Sequence, residues 1–556
     1  MSQPEPRRRM RGSDAMFLYF ERKEMPLHIG CVAILDGPFD EESLEVLAAR
    51  FPEIPRYRQR VMFSPLNIAH PSWEYDPEFD VNNHIFRVKL DPPGTERQLS
   101  ELVGRIFTPL MDRNKPLWDV TVVDGLEGGR SAIICRIHHC MADGVSGIGL
   151  ASIMFDKTRT PRKVEETEYN PPPLPDTGEL LVEGLAGIWA HAAERFLGAN
   201  IKVLRMAQAF TGDDSKDTMS ALLAAIPDLI RPTERLPFNS ACSGVRGYCW
   251  TSFPFAEVLG IRAALGGTVN DAALTAVAGA FSRYVKAHNE PVTNRYVRLL
   301  VPVNLRTEGA KELGVEISML PLSLPLDIED PAERMRVVTR RSTAMKTGRI
   351  ADIVSLIGMS LGSLPVNLQN MFAGFPMMPQ PVLIVNTVCT NVPGPMHPLY
   401  ANGTELLTYY PHVPCGSDVG ISIAMSSYNK SLYFGITYDM QAAPDGELFR
   451  DFLVESYEEL REAAGVPKAL SRPMPARPAE IPIPKPEPES ASEPELVAEP
   501  ASEPEQVAEP VDVSVPEIAE PVTVHAAVNG IPKSPHKKKK HREPKAVKDT
   551  AGARIR

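Results

Sequence analysis

No part of this 556-residue chain holds an uninterrupted apolar run of the roughly 18 residues that a membrane-spanning helix needs, so no transmembrane helix is expected. Met1 to Arg11 is polar and basic, but no apolar stretch follows it. Asp14, Glu21, Arg22, Lys23 and Glu24 interrupt, and a signal peptide is not expected. Cysteine is scarce: seven, scattered and odd in number, with no CxxC pair. That argues against a disulfide framework and for reduced thiols in a cytoplasmic setting. Positive charge is also in deficit. A net charge of -11 argues against a general nucleic-acid binder.

Apolar residues are plentiful, at 43%, enough for the cores of two or three domains. One stretch stands out: Arg136-Ile-His-His-Cys-Met-Ala-Asp-Gly-Val-Ser-Gly147, with His138-His139-x-x-x-Asp143-Gly144 at its centre. Upstream, Ser131 to Ile137 is an apolar, partly β-branched run that predicts a buried strand. Downstream, Asp143-Gly144 predicts a turn, and Ser146 can cap a helix through Phe155. Two histidines therefore sit where a strand ends and a turn feeds a helix.

The residue types define the available chemistry. A neutral imidazole, with an ordinary pKa of about 6.5, is a good general base for an alcohol, thiol or amine. Asp143 can orient a ring or tie down the turn, and Gly144 permits close backbone approach. No nearby serine has a nucleophile-elbow pattern, so a covalent acyl-enzyme is not suggested. Cys140 adjoins His139, but neighbours on an extended segment point apart, which argues against a Cys–His nucleophilic pair. The spacing matches no common zinc site. The alternative open at this point is a pair of buried, hydrogen-bonded structural histidines.

Strand and helix patterns alternate along the chain, and the fold class expected is α+β with mixed sheets. His28–Leu35 and Trp118–Asp124 predict strands, and Asp40–Arg50 a helix. Residues 156–180 are charged and then proline-rich, as in a linker, and 180–230 predicts helices. A second α+β unit starts at Gly247. It has helices at Phe255–Leu265, from Thr268 to about Tyr284, at Pro331–Met345 and at Leu448–Ala463. Its strands are Arg298–Val303 and Tyr433–Asp439. Ile353 to Thr404 carries no Asp, Glu, Lys or Arg and includes Met359, Met371, Met377 and Met378. It suits a buried core, an acyl-chain wall or a lipid-facing surface. Beyond Ser471, Ser492–Pro500 recurs nearly unchanged as Ser502–Pro510. This Pro/Glu-rich tail, expected to be disordered, ends in a basic cluster from Lys533 to Arg542 that can attract an anionic membrane. The expected domains are 11–160, a linker with crossover helices at 161–245, 246–466, and the tail at 471–556.

The motif also resembles a known signature. His139-x-x-x-Asp143-Gly144 is similar to that of the CoA-dependent acyltransferase superfamily, which includes chloramphenicol acetyltransferase and peptide-synthetase condensation domains. Ser13 to Leu18, Met25 to Gly30 and Pro109 to Trp118, with its Pro-Leu-Trp end, narrow the match. So do Asn270-Asp271, Val301 to Arg306 and Asn391-Val-Pro-Gly-Pro395, in that order. Together they resemble the bacterial wax ester synthase/diacylglycerol acyltransferase family over about residues 11 to 466. One departure stands after Leu313, where Gly314-Val315 replaces the usual Gly-Asn.

The resemblance implies two chloramphenicol-acetyltransferase-like halves with an active-site tunnel between them. It also implies direct transfer from acyl-CoA to diacylglycerol or a long-chain alcohol, with no cofactor and no metal. His139 would be the general base and His138 a support for the strand. Asp143 would hold the turn through an arginine, with Arg306 one candidate. Asn270 is the candidate oxyanion donor, though it can equally be a helix cap. Asp271 would orient its loop, and Trp118 and Pro116 would shape the tunnel. A water-insoluble acceptor implies peripheral contact with a membrane or lipid droplet. Two other readings stay open: a related transferase for a smaller alcohol, and a non-catalytic neutral-lipid-binding protein.

Overall fold

Long β-rich runs from both ends of the sequence assemble into two six-stranded mixed sheets. The structure is a computed structural model and describes residues 8–141, 147–164, 169–186, 233–304, 317–347 and 385–469. In chain order the strands are β1 (Arg8–Arg9), β2 (His28–Leu35), β3 (Gln59–Met62), β4 (Ser72–Tyr75), β5 (Ile85–Lys89), β6 (Trp118–Leu126) and β7 (Arg130–His138). There follow β8 (Arg246–Pro254), β9 (Tyr296–Asn304), β10 (Ile317–Pro325), β11 (Thr387–Pro393), β12 (Tyr400–Ala401), β13 (Thr404–His412), β14 (Ile421–Tyr428) and β15 (Ser431–Asp439). The helices that matter here are α1 (Gly12–Phe20), α2 (Glu41–Arg50), α3 (Glu96–Phe107), α4 (Gly147–Met154), α5 (Phe255–Leu265), α6 (Val269–Ala287), α7 (Pro331–Thr347) and α8 (Gly446–Ala463).

The N-terminal sheet has the order β12-β13-β2-β7-β6-β5, and the C-terminal sheet β10-β9-β11-β14-β15-β8. Each is mixed: β5 runs parallel to β6, and β11 runs parallel to both β9 and β14. Strands covered on both faces read as continuous apolar runs rather than alternating ones. Ser131–Cys135 and all eight residues of β14 are buried, although Ser422, Ser426 and Ser427 interrupt the apolar run of β14. A small sheet of β1, β4 and β3 lies apart.

Within the described residues the predicted strands and helices form with boundaries that coincide or shift by up to three residues, as frayed ends allow. Helix α3 escaped the sequence reading, although its start is marked locally. Thr95 and Gln98 form a reciprocal capping box, which satisfies two of the orphan N–H groups of the first turn. Leu99, Leu102, Val103 and Phe107 then recur at helical spacing and are buried. The end of the uncharged stretch resolves into β11 and β12, while residues 353–384 lie outside the described residues. So do 187–232, which hold most of the expected crossover helices, and the tail from 470.

The two sheets are interlocked. β13 follows the C-terminal strands β9 to β11 in sequence, yet it pairs with β2 and completes the N-terminal sheet. Accordingly Tyr248, Trp250, Tyr409, Tyr410 and Tyr433 join the N-terminal core. Helix α3 packs on β8 at close range: a Cβ on Gly104 would lie 2.5 Å from the Arg246 carbonyl oxygen. β15 crosses β13 equally closely, with an added Cβ on Gly435 meeting the Pro411 oxygen at 1.9 Å. Only glycine allows these backbones to approach.

A buried ion pair anchors this junction. Arg246 donates to Asp439 (3.0 Å), to the Cys415 oxygen (2.6 Å) and to the Glu24 oxygen (3.3 Å). Asp439 also accepts from the N–H groups of Ser243, Gly244, Gln441 and Ala442. The two side chains are 1% and 0% exposed. Removing one member of such a pair strands the other in a medium that cannot solvate it. Arg246→Met is expected to destabilise the protein by about 3 kcal/mol. Arg97→Ala, at the exposed pair with Glu101, is expected to cost less than about 0.5 kcal/mol. Urea unfolding of both variants checks the contrast, and equal midpoints would refute it.

Candidate active site

The end of β7 is held from both sides. The His138 N–H donates to the Leu117 oxygen and the His139 N–H to the Leu27 oxygen, each at 2.9 Å. Consecutive N–H groups of a strand point to opposite neighbours, and here the neighbours are the residues just before β6 and β2. Beyond that point the chain turns into a short 3-10 segment, His139–Met141. Helix α4 begins at Gly147, as the helix expected from Ser146 would. Asp143, Gly144 and Ser146 lie outside the described residues, as does Arg306.

The two rings have different partners. His138 is fully buried, and its Nε2 lies 3.2 Å from Glu21 Oε1. The backbone N–H of Cys140 donates to its Nδ1 at 3.2 Å. An Nδ1 that accepts this N–H leaves the ring proton on Nε2, which lies near the carboxylate without a hydrogen bond aligned to it. The Cys140 sulfur also lies 2.9 Å from Nδ1. This corrects the sequence expectation on one point. The chain leaves the extended conformation after His138, and the tight turn folds the i+2 thiol back onto the ring. The pair is still a poor nucleophile, because burial, with Asp14 and Glu21 adding to it, pushes the thiol well above its ordinary pKa.

The His139 ring is surrounded by protein, although the residue as a whole keeps some exposure. Its ring stacks on Phe17 of α1, with centroids 3.8 Å apart and planes 12° from parallel. Among the described residues, no other side chain is hydrogen-bonded to its ring nitrogens. Burial among apolar groups, with His138 adding to the effect, holds its pKa down to about 4. The ring is therefore neutral at pH 7, with a lone pair available to take a proton.

Glu21, which no motif singled out, is the hub beside this pair. Its side chain is 1% exposed. Oε1 accepts the Leu27 N–H at 3.0 Å, and Oε2 accepts from Arg113 at 3.0 Å. Burial alone would raise its pKa, but His138, Leu27 and Arg113 outweigh that and hold it down to about 2. Arg113 belongs to the Pro109–Trp118 stretch, and Glu21 lies between the two opening stretches. Three separate resemblance segments thus converge on one carboxylate.

In the other half, Asn270 sits in the first turn of α6, facing β11. It is not the helix cap. Thr268 takes that role, in a capping box with Asp271. The capping reading of Asn270 is thereby removed: a threonine two residues earlier occupies the site where a cap side chain reaches the N3 N–H. Asp271 is buried and also accepts from Ser342 at 2.6 Å. Asn391 of β11 donates its amide N–H to Asn270 Oδ1 at 3.1 Å, and among the described residues the Asn270 amide nitrogen has no acceptor of its own. Helix α4, which carries the motif onward, packs on β11. Asn391 was named in the sequence only as part of Asn391–Pro395, and nothing local marked its side chain.

Trp118 requires a correction. Its ring lies between Phe51 (4.3 Å) and His84 (4.5 Å), both within 12° of parallel, and its N–H donates to the Tyr57 oxygen at 2.8 Å. With both faces and its one donor occupied, it is a core residue rather than a tunnel wall. Pro116 is buried beside it, and its oxygen accepts the backbone N–H of Trp118, as distinct from the indole N–H held by Tyr57. Arg136, the first residue of the motif, chelates Asp119 across the β6–β7 pair and reaches the Ile106 and Pro109 oxygens. It thereby ties the Pro109–Trp118 stretch to the motif strand.

Residues 10–273 match the wax ester synthase/diacylglycerol acyltransferase catalytic domain, and 313–461 match the C-terminal domain of the same family. A probable diacylglycerol O-acyltransferase of Mycobacterium tuberculosis is 31% identical over 443 residues, which cover 79% of this chain and 92% of that protein. A second from the same species is 29% identical over 473 residues, covering 82% and 99%. Among solved structures, the wax ester synthase/diacylglycerol acyltransferase of Marinobacter aquaeolei VT8 superposes with a TM-score of 0.56 at 22% identity, over 83% of this chain and 100% of that one. The first condensation domain of the calcium-dependent antibiotic synthetase gives 0.50 at 17% identity, over 84% and 98%. These two likenesses establish the shared fold. The chain is an acyltransferase and belongs to the wax ester synthase/diacylglycerol acyltransferase family.

Proposed function

We propose that the protein transfers a long-chain acyl group from acyl-CoA directly to the hydroxyl of diacylglycerol, with long-chain alcohols as a second acceptor class. The observation that carries this reading is His139: a neutral, desolvated imidazole whose nitrogens are not engaged by other side chains among the described residues. The names of the mycobacterial relatives favour diacylglycerol as acceptor.

In this reading His139 removes the hydroxyl proton as the oxygen attacks the thioester carbonyl. The tetrahedral intermediate collapses by breaking the carbon–sulfur bond, and the imidazolium returns the proton to the CoA thiolate. The Asn270 amide, oriented by Asn391 at the positive end of α6, donates to the oxyanion. Asp143 and Gly144 shape the turn after the base, and Arg306 remains a candidate partner for Asp143. The acceptor is insoluble in water, so the enzyme works from the cytoplasm in peripheral contact with a membrane or lipid droplet. The uncharged stretch 353–404 and the helices expected at 180–205 are the candidate docking surfaces.

His139→Ala is expected to lose about 10²–10⁴-fold in turnover while melting like the wild type. Undiminished CoA release would remove the general-base role. The acceptor is tested by following thiol release from palmitoyl-CoA with diacylglycerol, hexadecanol and a short water-soluble alcohol offered separately. Faster release with diacylglycerol is expected. Release with the short alcohol alone would instead point to a transferase for small acceptors, and neutral-lipid binding without thiol release to a non-catalytic protein.

A further inference from the structure

Glu21 touches every part of the His138–His139 support without being part of the histidine motif. Its own N–H closes the last turn of α1 on the Phe17 oxygen at 3.0 Å, and Phe17 is the ring on which His139 stacks. Its Oε1 holds the Leu27 N–H, and the Leu27 carbonyl in turn holds the His139 N–H. The same oxygen faces His138 Nε2 at 3.2 Å. Its Oε2 takes Arg113, which also donates to the Leu18 oxygen at 2.9 Å, fixing α1 from the other side. A carboxylate buried to this depth persists only with such partners. They all belong to the platform that carries the base.

We propose that Glu21 is a positioning residue for the transfer reaction. It clamps α1, the start of β2 and the end of β7 together, and so sets where the His139 ring stands. This rests on the reading of His139 as the base. Glu21 has no side-chain atom exposed enough to meet substrate, so its effect belongs on turnover rather than on acyl-CoA binding. Well-oriented reacting groups account for large parts of an enzymatic barrier, and a displacement of about 1 Å can cost on the order of 10²-fold in rate.

The test uses the full chain with Glu21→Gln and Glu21→Ala, assayed for kcat and for the KM of palmitoyl-CoA, each with a thermal melt. Glutamine keeps an oxygen for the Leu27 N–H. The Arg113 side chain, 34% exposed, can turn to water when its ionic partner is lost. Glu21→Gln is therefore expected to melt near the wild type. Glu21→Ala is expected to lose on the order of 10²-fold in kcat, and Glu21→Gln a smaller factor, with KM within about twofold of wild type in both. Wild-type kcat in a folded Glu21→Ala, or a rise in KM with kcat intact, overturns the proposal. If the alanine variant does not fold, Glu21→Gln decides alone: a reduced kcat at wild-type melting supports the clamp, and an unchanged kcat refutes it. His139→Ala is run alongside. If it keeps its turnover, the base reading fails; if it is dead while Glu21→Gln and Glu21→Ala are fully active, only the clamp fails.

Discussion

The arrangement depends on one constraint: the last N–H groups of β7 must be satisfied where the strand stops being a strand. Leu117 and Leu27 supply the two carbonyls, one from each flanking strand. Any shift of register along β2 or β6 would move those carbonyls by a residue and turn the opposite faces of the strands to the core. The sheet therefore fixes the backbone of both histidines before any side-chain contact is counted. What the side chains add is the choice of ring environment. His138 lies beside an ionised carboxylate, and His139 is set on the face of Phe17, with no carboxylate on its ring among the described residues. Two adjacent residues of one type thus acquire different chemistry from their surroundings alone.

The second half makes this end of the sheet durable. β13 belongs by sequence to the C-terminal stretch, but it completes the N-terminal sheet next to β2, the strand that supplies the Leu27 contact. Arg246 and Asp439 lock the junction from the far side, where the arginine reaches the Glu24 carbonyl in the loop that leads into β2. Stability at this junction and geometry at the site are therefore mechanically related. The Asn270–Asn391 contact extends the relation, because β11 packs against the helix that follows the motif.

Much of this was legible in the chain. The strand before the histidines and the helices at Phe255 and Thr268 follow from local periodicity and turn chemistry, and the ordered set of short motifs carries the family resemblance. What escaped is non-local. Glu21 sits among Arg22, Lys23 and Glu24 and looks like one more surface charge; only the fold reveals that it alone is turned inward toward His138. The resemblance implies a tunnel-shaping role for Trp118, yet the rings that sandwich it come from Phe51 and His84, far away in sequence. The Cys140–His138 contact was missed because an extended geometry was carried one residue too far. Asn270 was a cap or a donor on sequence grounds, and Thr268, better placed to cap, removes the first of these.

The pH dependence of kcat/KM for the wild-type enzyme addresses the role of His139 most directly, because it reports the protonation of the free enzyme's base. A histidine held at about 4 by burial keeps its lone pair well below neutrality. The rate is expected to stay level from pH 8 down to roughly 5 and to reach half its plateau only near 4. An acid limb centred near 6.5, the value of a solvated imidazole, would contradict the account: the base would then be a water-exposed histidine rather than the desolvated ring stacked on Phe17.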